Sequence, residues 1–108
     1  PDALPPVKDA ATMRKVALAF DSMPPDQVIA TLKPLVVPEN SWFGSAGELT
    51  AIAHLKAGRR DQAAALFANL ARDTQVPETI RLRAGQMASM LGSPVADATA
   101  TPATPAAQ

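Results

Sequence analysis

Residues 41–92 carry the clearest helical pattern in the chain and read SWFGSAGELTAIAHLKAGRRDQAAALFANLARDTQVPETIRLRAGQMASMLG. Within them, apolar residues return every three or four positions, which is typical of amphipathic helices. Gly58 and Gly92 stand where two apolar segments end, and glycine closes many helices because it adopts a left-handed backbone conformation. Pro77 and Glu78 favour a helix start, since proline fits the first turn and the helix dipole favours a negative charge there. The stretch predicts helices near 42–57, near 60–72 and from 77 to 91.

The residues before this stretch predict two further helices. Apolar residues share one face of a helix near 9–22, namely Met13, Val16, Ala17 and Phe20. Two prolines at positions 24 and 25 end that helix and open another near 25–36, in which Pro34 interrupts helical hydrogen bonding near the end. Only residues 35–37 look β-like, and prolines flank them. The predicted fold class is all-α with about five helices.

Two alternatives exist for the start of the third helix. Asn40 and Ser41 are cap candidates directly before it. Ser45 and Glu48 have the spacing of a capping box, which would begin the helix later.

The predicted domain organisation has three parts. Residues 1–8 form an extended, proline-restricted lead-in, and residues 9–92 form the helical domain. Residues 93–108 read SPVADATATPATPAAQ and are expected to be disordered, because so few bulky apolar residues cannot offset the chain entropy.

An internal repeat of 34 residues underlies the helical domain. Gly58 and Gly92 are 34 positions apart, and the small residues Ala17, Ala51 and Gly85 follow the same interval. This is the period of tetratricopeptide repeats, which are helix–turn–helix units. Small residues at that point are expected to let the paired helix pack closely. The A-x3-F element of that pattern is present as Ala63 and Phe67.

The repeat pattern also has departures. Gly47, Thr50 and His54 replace large consensus residues, and Ile29 stands 34 positions before Ala63. The sequence predicts two tetratricopeptide-like hairpins plus a closing helix in a short right-handed solenoid. An unrelated five-helix bundle is the alternative.

Composition excludes several classes of function. Ten basic residues balance ten acidic ones, so long-range attraction to nucleic acid is not expected. The chain has no Cys and one His, which excludes disulfides, thiolate metal sites and His-rich clusters. We therefore expect no metal and no cofactor. No apolar run approaches the ~20 residues that span a bilayer.

The candidate chemical residues have simpler structural interpretations. His54 is a formal catalytic candidate, but a packing role at a helix–helix contact is the stronger interpretation, since no Ser or Asp lies at helical spacing to orient it. The small residues at 44–47 lack a following phosphate-binding Lys and indicate close packing. The arginines at 59, 60, 81 and 83 are expected to pair with Asp61, Asp73 and Glu78 or to stay solvated. Trp42 is expected to be a buried staple between the second and third helices, or else an exposed interface anchor.

The same stretch resembles a known family. Trp42 opens a helix, a Leu-x-x-Gly turn runs from Leu55 to Gly58, and Pro77 starts the last helix. In these features residues 41–92, about half the chain, resemble the C-terminal end of the ancillary SecYEG translocon subunit family. Its members are bacterial tetratricopeptide-like proteins with one N-terminal membrane anchor and a periplasmic domain. The resemblance implies a location at the periplasmic side of the bacterial inner membrane, with the anchor upstream of Pro1.

The repeat arrangement predicts a partner-binding stripe. In such arrays the first helix of each pair lines the concave face that contacts the ligand. Projection from the 34-residue interval gives Arg14, Leu18 and Asp21, then Glu48, Ile52 and Leu55, then Leu82, Gln86 and Ser89. This mostly apolar stripe suits an amphipathic helix or an unfolded apolar segment. The alternative is that missing upstream repeats, or the second helix and the C-terminal tail, cover it.

These patterns lead to a principal hypothesis and three alternatives. The first is a non-catalytic protein–protein interaction module of a translocon-associated subunit, which binds the channel, a periplasmic chaperone or secretory clients. The second is a scaffold in another envelope complex, such as outer-membrane protein assembly or cytochrome maturation. The third is an enzyme using His54. The fourth is a structural piece whose repeats only complete a larger array.

Overall fold

Five α-helices make up the part of the chain that the computed structural model describes, residues 5–92. They are α1 (Pro5–Ala19), α2 (Pro25–Leu32), α3 (Phe43–Lys56), α4 (Arg60–Arg72) and α5 (Glu78–Met90). Short 3-10 turns, Phe20–Ser22 and Lys33–Leu35, follow the first two helices. These described residues contain no strand, so the predicted all-α class with five helices is confirmed. Within the same range, every helix is too short or too polar to cross a bilayer.

Two helix boundaries differ from the sequence prediction. α1 begins at Pro5, so residues 5–8 are helical although an extended lead-in was expected. α2 ends at Leu32, because Pro34 has no N–H to donate to the carbonyl one turn earlier. The chain instead makes one 3-10 turn, closed by the Val36 N–H donating to the Lys33 carbonyl. The predictions for residues 1–4 and 93–108 lie outside the described residues.

Asn40 organises the turn that starts α3. Its Oδ1 accepts a hydrogen bond from the Trp42 N–H at 2.7 Å, and its carbonyl accepts one from the Phe43 N–H at 3.0 Å. Asn40 thereby satisfies backbone donors that would otherwise be unpaired at a helix start. The capping-box alternative is wrong, because Ser45 lies inside the helix.

Gly58 ends α3 as the sequence predicts. Its φ is 82°, in the left-handed region that glycine adopts without strain. The Arg59 N–H donates to the His54 carbonyl at 2.8 Å, and the Gly58 N–H donates to the Leu55 carbonyl at 3.0 Å. This pair of bonds is a Schellman motif. It turns the chain sharply enough for α4 to begin at Arg60 and fold back along α3.

Two apolar clusters form the core, and α3 contributes to both. The N-terminal cluster consists of buried Met13, Val16, Val28, Leu32, Leu35, Ala46 and Ala53. The C-terminal cluster consists of buried Phe43, Ala51, Ala63, Phe67, Ala68, Leu70, Val76, Ile80, Ala84 and Ala88. α3 is therefore the central helix, with α1 and α2 on one side of it and α4 and α5 on the other.

We call α1, α3 and α5 the leading helices, because each is the first helix of a hairpin or the closing helix. Near the start of α1, Asp9 accepts a hydrogen bond from the Asn40 side chain at 3.2 Å. Just beyond the end of α1, the Lys56 ammonium lies 4.7 Å from the centre of the Phe20 ring. On the other side of α3, a Cβ at Gly44 would lie 3.4 Å from Ile80 near the start of α5, and further along both helices Glu48 accepts hydrogen bonds from Arg83. The leading helices thus lie beside one another and run in the same direction.

Burial follows the 34-residue interval along the leading helices. Val16, Thr50 and Ala84 are 34 positions apart and are all buried. The close-packing prediction holds for Ala51, which is fully buried, but it is wrong for Ala17, which is exposed. α1 therefore packs through Met13, Val16 and Phe20, and leaves its small residue in solvent.

The following helices, α2 and α4, are related by 35 residues instead of 34. Three pairs of buried residues share that interval: Val28 with Ala63, Leu32 with Phe67, and Leu35 with Leu70. The apparent mismatch between Ile29 and Ala63 is thereby corrected. Equivalent buried positions are 12 residues apart in the first hairpin, from Val16 to Val28, and 13 apart in the second, from Thr50 to Ala63, so Val28 is the true equivalent of Ala63.

Candidate partner-binding face

The predicted stripe lies on the leading helices, and its outer members are open to solvent. Seven of the nine residues of the predicted stripe are the candidate partner-binding residues, and we call them the leading face: Arg14, Leu18, Glu48, Ile52, Leu55, Leu82 and Gln86. Leu18 on α1 is 83% exposed and Leu82 on α5 is 60% exposed. Arg14 and Gln86 are also exposed. The two flanks of the face thus present large apolar side chains that the described chain does not cover.

The middle of the leading face is partly incorporated into the core. Ile52 and Leu55 of α3 are half-buried and pack against the C-terminal cluster. The flanking leucines are surface residues, whereas the central Ile52 and Leu55 are shared between surface and core.

Glu48 is engaged by an arginine that the sequence reasoning did not assign to it. The Arg83 Nε and Nη2 atoms donate to its two carboxylate oxygens at 2.8 and 2.9 Å. The hydrogen bonds and the charge of Glu48 raise the pKa of Arg83. The Glu48 side chain is only 19% exposed, so the fork–fork pair fixes α5 against α3.

The arginine pairings expected from sequence are therefore wrong in two cases. Arg83 pairs with Glu48 and Arg59 pairs with Asp26, where Asp61, Asp73 and Glu78 were expected. The sequence did contain a signal for the first pair. Arg83 follows Glu48 by 35 positions, one step from the 34-residue interval that places neighbouring leading helices side by side.

α1 carries an open depression on its outward side. Among the described residues, its lining consists of Ala10, Ala11, Arg14, Lys15 and Leu18. Two of these residues, Arg14 and Leu18, belong to the leading face. The depression thus brings together one exposed apolar side chain, two cations and two small residues that leave space between them.

His54 is part of a polar clasp between α2 and the end of α3. Its Nδ1 accepts a hydrogen bond from Arg59 Nε at 3.0 Å, and Arg59 Nη2 lies 2.6 Å from Asp26 Oδ1. Burial and the Arg59 charge lower the pKa of His54, while the Asp26 charge opposes them. Because arginine only donates, the neutral imidazole carries its proton on Nε2. The contacts indicate a structural role, since Asp26 reaches the imidazole only through Arg59.

Trp42 and two glycines adjust the packing around α3. Trp42 is half-buried against the N-terminal cluster, which agrees with the staple interpretation. A side chain at Gly44 would approach Val76 at 3.0 Å, and one at Gly47 would approach Leu70 at 2.7 Å. The small residues at 44–47 therefore serve close packing, as the sequence indicates. Across residues 5–92, no group of three His, Cys, Asp or Glu side chains is placed to hold a metal ion.

Comparison with known proteins adds no relative. No protein-family model, curated protein or solved structure matches the chain.

Proposed function

We propose that this chain is a non-catalytic protein-interaction module that binds its partner along the leading face. The observation that carries the proposal is the exposure of Leu18 and Leu82 on the two outer leading helices. Exposed leucines on either side of the half-buried Ile52 form a surface suited to an apolar segment of a partner. The partner gains by burying these side chains, because removing apolar surface from water is favourable.

A tetratricopeptide-like solenoid is the finer description of fold that we propose. The parallel leading helices, the 34-residue interval of their buried residues and the Schellman turn at Gly58 all support it. In that architecture the leading helices form a concave binding surface. Two departures from the repeat pattern are accommodated in the packing. Gly47 allows close approach of α4, and Thr50 is itself a small buried residue.

The cellular role that we propose rests on the resemblance of residues 41–92 to the ancillary translocon subunit family. The module would act at the periplasmic side of the bacterial inner membrane, carried by an anchor upstream of Pro1. Its partners would be the translocon channel, a periplasmic chaperone or secretory clients. An apolar face is appropriate for clients in this role, since a chain emerging from the channel exposes apolar segments before it folds.

The leading face is tested with the variant Leu18→Asp/Leu82→Asp in the whole chain. Because both side chains are exposed, we expect the helical content to persist. Fluorescence anisotropy should show that affinity for an unfolded secretory polypeptide falls at least about tenfold, since two apolar contacts are replaced by charges.

Ala65→Asp is the matched control, because Ala65 is exposed on α4, away from the leading helices. It should bind as the parent chain does. Unchanged binding by a folded Leu18→Asp/Leu82→Asp variant, or an equal loss in the control, would contradict the proposed face.

A further inference from the structure

We infer that the partner of α1 is an acidic amphipathic helix, which docks on what we call the outer strip. The outer strip consists of Val7, Ala11 and Leu18, with Ala10 and Arg14 along one edge and Lys15 and Lys8 along the other. This inference rests on the proposed function and specifies its partner at the α1 end of the leading face.

The outer strip lies directly opposite the core side of α1. At about 100° per residue, Val7, Ala11 and Leu18 fall within roughly 40° of one another around the helix axis. Buried Met13 and Val16 occupy the other side of the helix. Val7 is 58% exposed and Leu18 is 83% exposed, so α1 has two apolar sides and only one of them is used by the described chain.

The shape of the outer strip fits a helix. Val7 and Leu18 are about 16 Å apart along the axis, at 1.5 Å per residue. Between them Ala10 and Ala11 leave the open depression described above. A ridge of side chains from a partner helix can enter such a gap between two larger residues, which is how helices pack against one another.

The charges around the outer strip specify an acidic partner. Arg14 and Lys15 lie on its two edges, at about 40° and 60° from Leu18, and Lys8 lies beyond Lys15. These three side chains are exposed, and none forms an ion pair with another described residue. Asp9 points away toward Asn40, and Asp21 lies beyond the helix end. A helix with glutamates flanking its apolar stripe would therefore meet cations on both sides.

A lipid surface fits these observations less well. Membrane-surface helices bury a broad apolar face that contains residues such as Trp, Phe and several Leu. The outer strip and its edges offer one leucine, one valine and two alanines, and the opposite side of α1 is already buried in the core. The area available is that of a single helix–helix contact.

The test uses the whole chain and synthetic amphipathic peptides that share one leucine stripe. Their flanking residues are glutamate, glutamine or lysine. We expect the glutamate peptide to bind most tightly, with NMR shifts centred on Val7, Ala11 and Leu18, and with binding that weakens as salt is added. Arg14→Glu/Lys15→Glu should lower its affinity at least about tenfold and should restore binding to the lysine peptide.

Lys33→Glu/Arg60→Glu is the control, because it changes net charge equally at exposed positions outside α1. It should bind the glutamate peptide nearly as the parent chain does. Arg14→Gln/Lys15→Gln keeps the test valid if the reversed charges disturb α1, and it should remove the preference for glutamate over glutamine.

Several outcomes would overturn the inference. Equal binding of the three peptides, or shifts centred on Leu82, would overturn it while leaving the proposed function intact. Binding to vesicles of anionic phospholipid without binding to any peptide would overturn it in favour of a membrane surface. Failure to bind both the peptides and an unfolded polypeptide would overturn the proposed function as well.

Discussion

The two apolar clusters are packed by different kinds of residue. In the C-terminal cluster, alanines such as Ala51, Ala63 and Ala84 lie between helices, and Gly47 lets Leu70 approach α3 directly. The N-terminal cluster instead depends on larger side chains such as Leu32. Small residues allow helix axes to approach closely, so α3, α4 and α5 form extensive contacts while α1 touches α2 more sparsely. The comparison indicates that α1 and α2 are the less stable half, although α1 carries the most exposed part of the leading face.

The largest expected effect comes from truncating one buried side chain in each cluster. Phe67→Ala and Leu32→Ala should each lower the free energy of unfolding, by about 3–5 and 2–5 kcal/mol respectively. The two variants should differ in which helices exchange their amide hydrogens faster. Phe67 packs among α3, α4 and α5, so its loss should accelerate amide hydrogen exchange throughout the domain. Leu32→Ala should accelerate exchange mainly in α1 and α2. Uniform acceleration by Leu32→Ala would mean that the two halves unfold as one unit.

Glycine-to-alanine substitutions at two positions test how closely the helices approach one another in the C-terminal half. Their expected effects on the free energy of unfolding are smaller and opposite in sign. At Gly47 a Cβ would lie 2.7 Å from a methyl group of the fully buried Leu70, which has little room to move. Gly47→Ala should therefore destabilise the fold by about 1 kcal/mol, overpacking outweighing the gain in helix propensity. At Gly85 the nearest atom is 3.7 Å away, so Gly85→Ala should stabilise by about 0.5–1 kcal/mol. Denaturant midpoints would measure both, and equal signs would contradict the packing account.

The smallest effect is a pH dependence at the His54 clasp, which links the two halves. The lowered pKa of His54 means that the folded chain binds this proton less readily than the unfolded chain does. Neutral His54 therefore makes its full contribution to the free energy of unfolding above roughly pH 6.5. That contribution decreases as the pH falls from there toward the lower pKa that His54 has in the folded chain. Thermal unfolding of parent and His54→Gln chains between pH 7.5 and 5 should show a steeper acid loss in the parent. An equal loss of thermal stability in both chains as the pH falls would show that protonation of His54 does not weaken the clasp.

The sequence predicted helices well where local signals were strong. Gly58 ends α3 because only a left-handed backbone closes the Schellman bonds, and that requirement is visible in one residue. Pro77 and Glu78 similarly indicated the start of α5, which begins at Glu78 directly after Pro77. The weaker prediction for α2 followed from Pro34, whose effect on the last turn depends on how the chain continues.

The candidate site was less predictable, because it depends on relative positions of helices. Glu48 was placed correctly on a leading helix, but its pairing with Arg83 depends on the side-by-side contact of α3 and α5. Ala17 looked equivalent to Ala51, yet it is exposed because α1 packs through other residues. Periodicity identifies which residues share a face, whereas exposure depends on what covers that face. Thr50 illustrates the same limit: it replaces a large residue of the repeat pattern, and its hydroxyl is buried without a hydrogen-bond partner among the described residues.

Methyl NMR of the whole chain, titrated with an unfolded secretory polypeptide, tests the central claim most directly. That claim is that the three leading helices present one binding face. We expect shifts at Leu18, Ile52 and Leu82, which lie on α1, α3 and α5, and unchanged signals from buried Leu70 and from Leu66 on α4. Shifts concentrated on α4, or no shifts in a chain whose spectrum shows that it is folded, would contradict the claim.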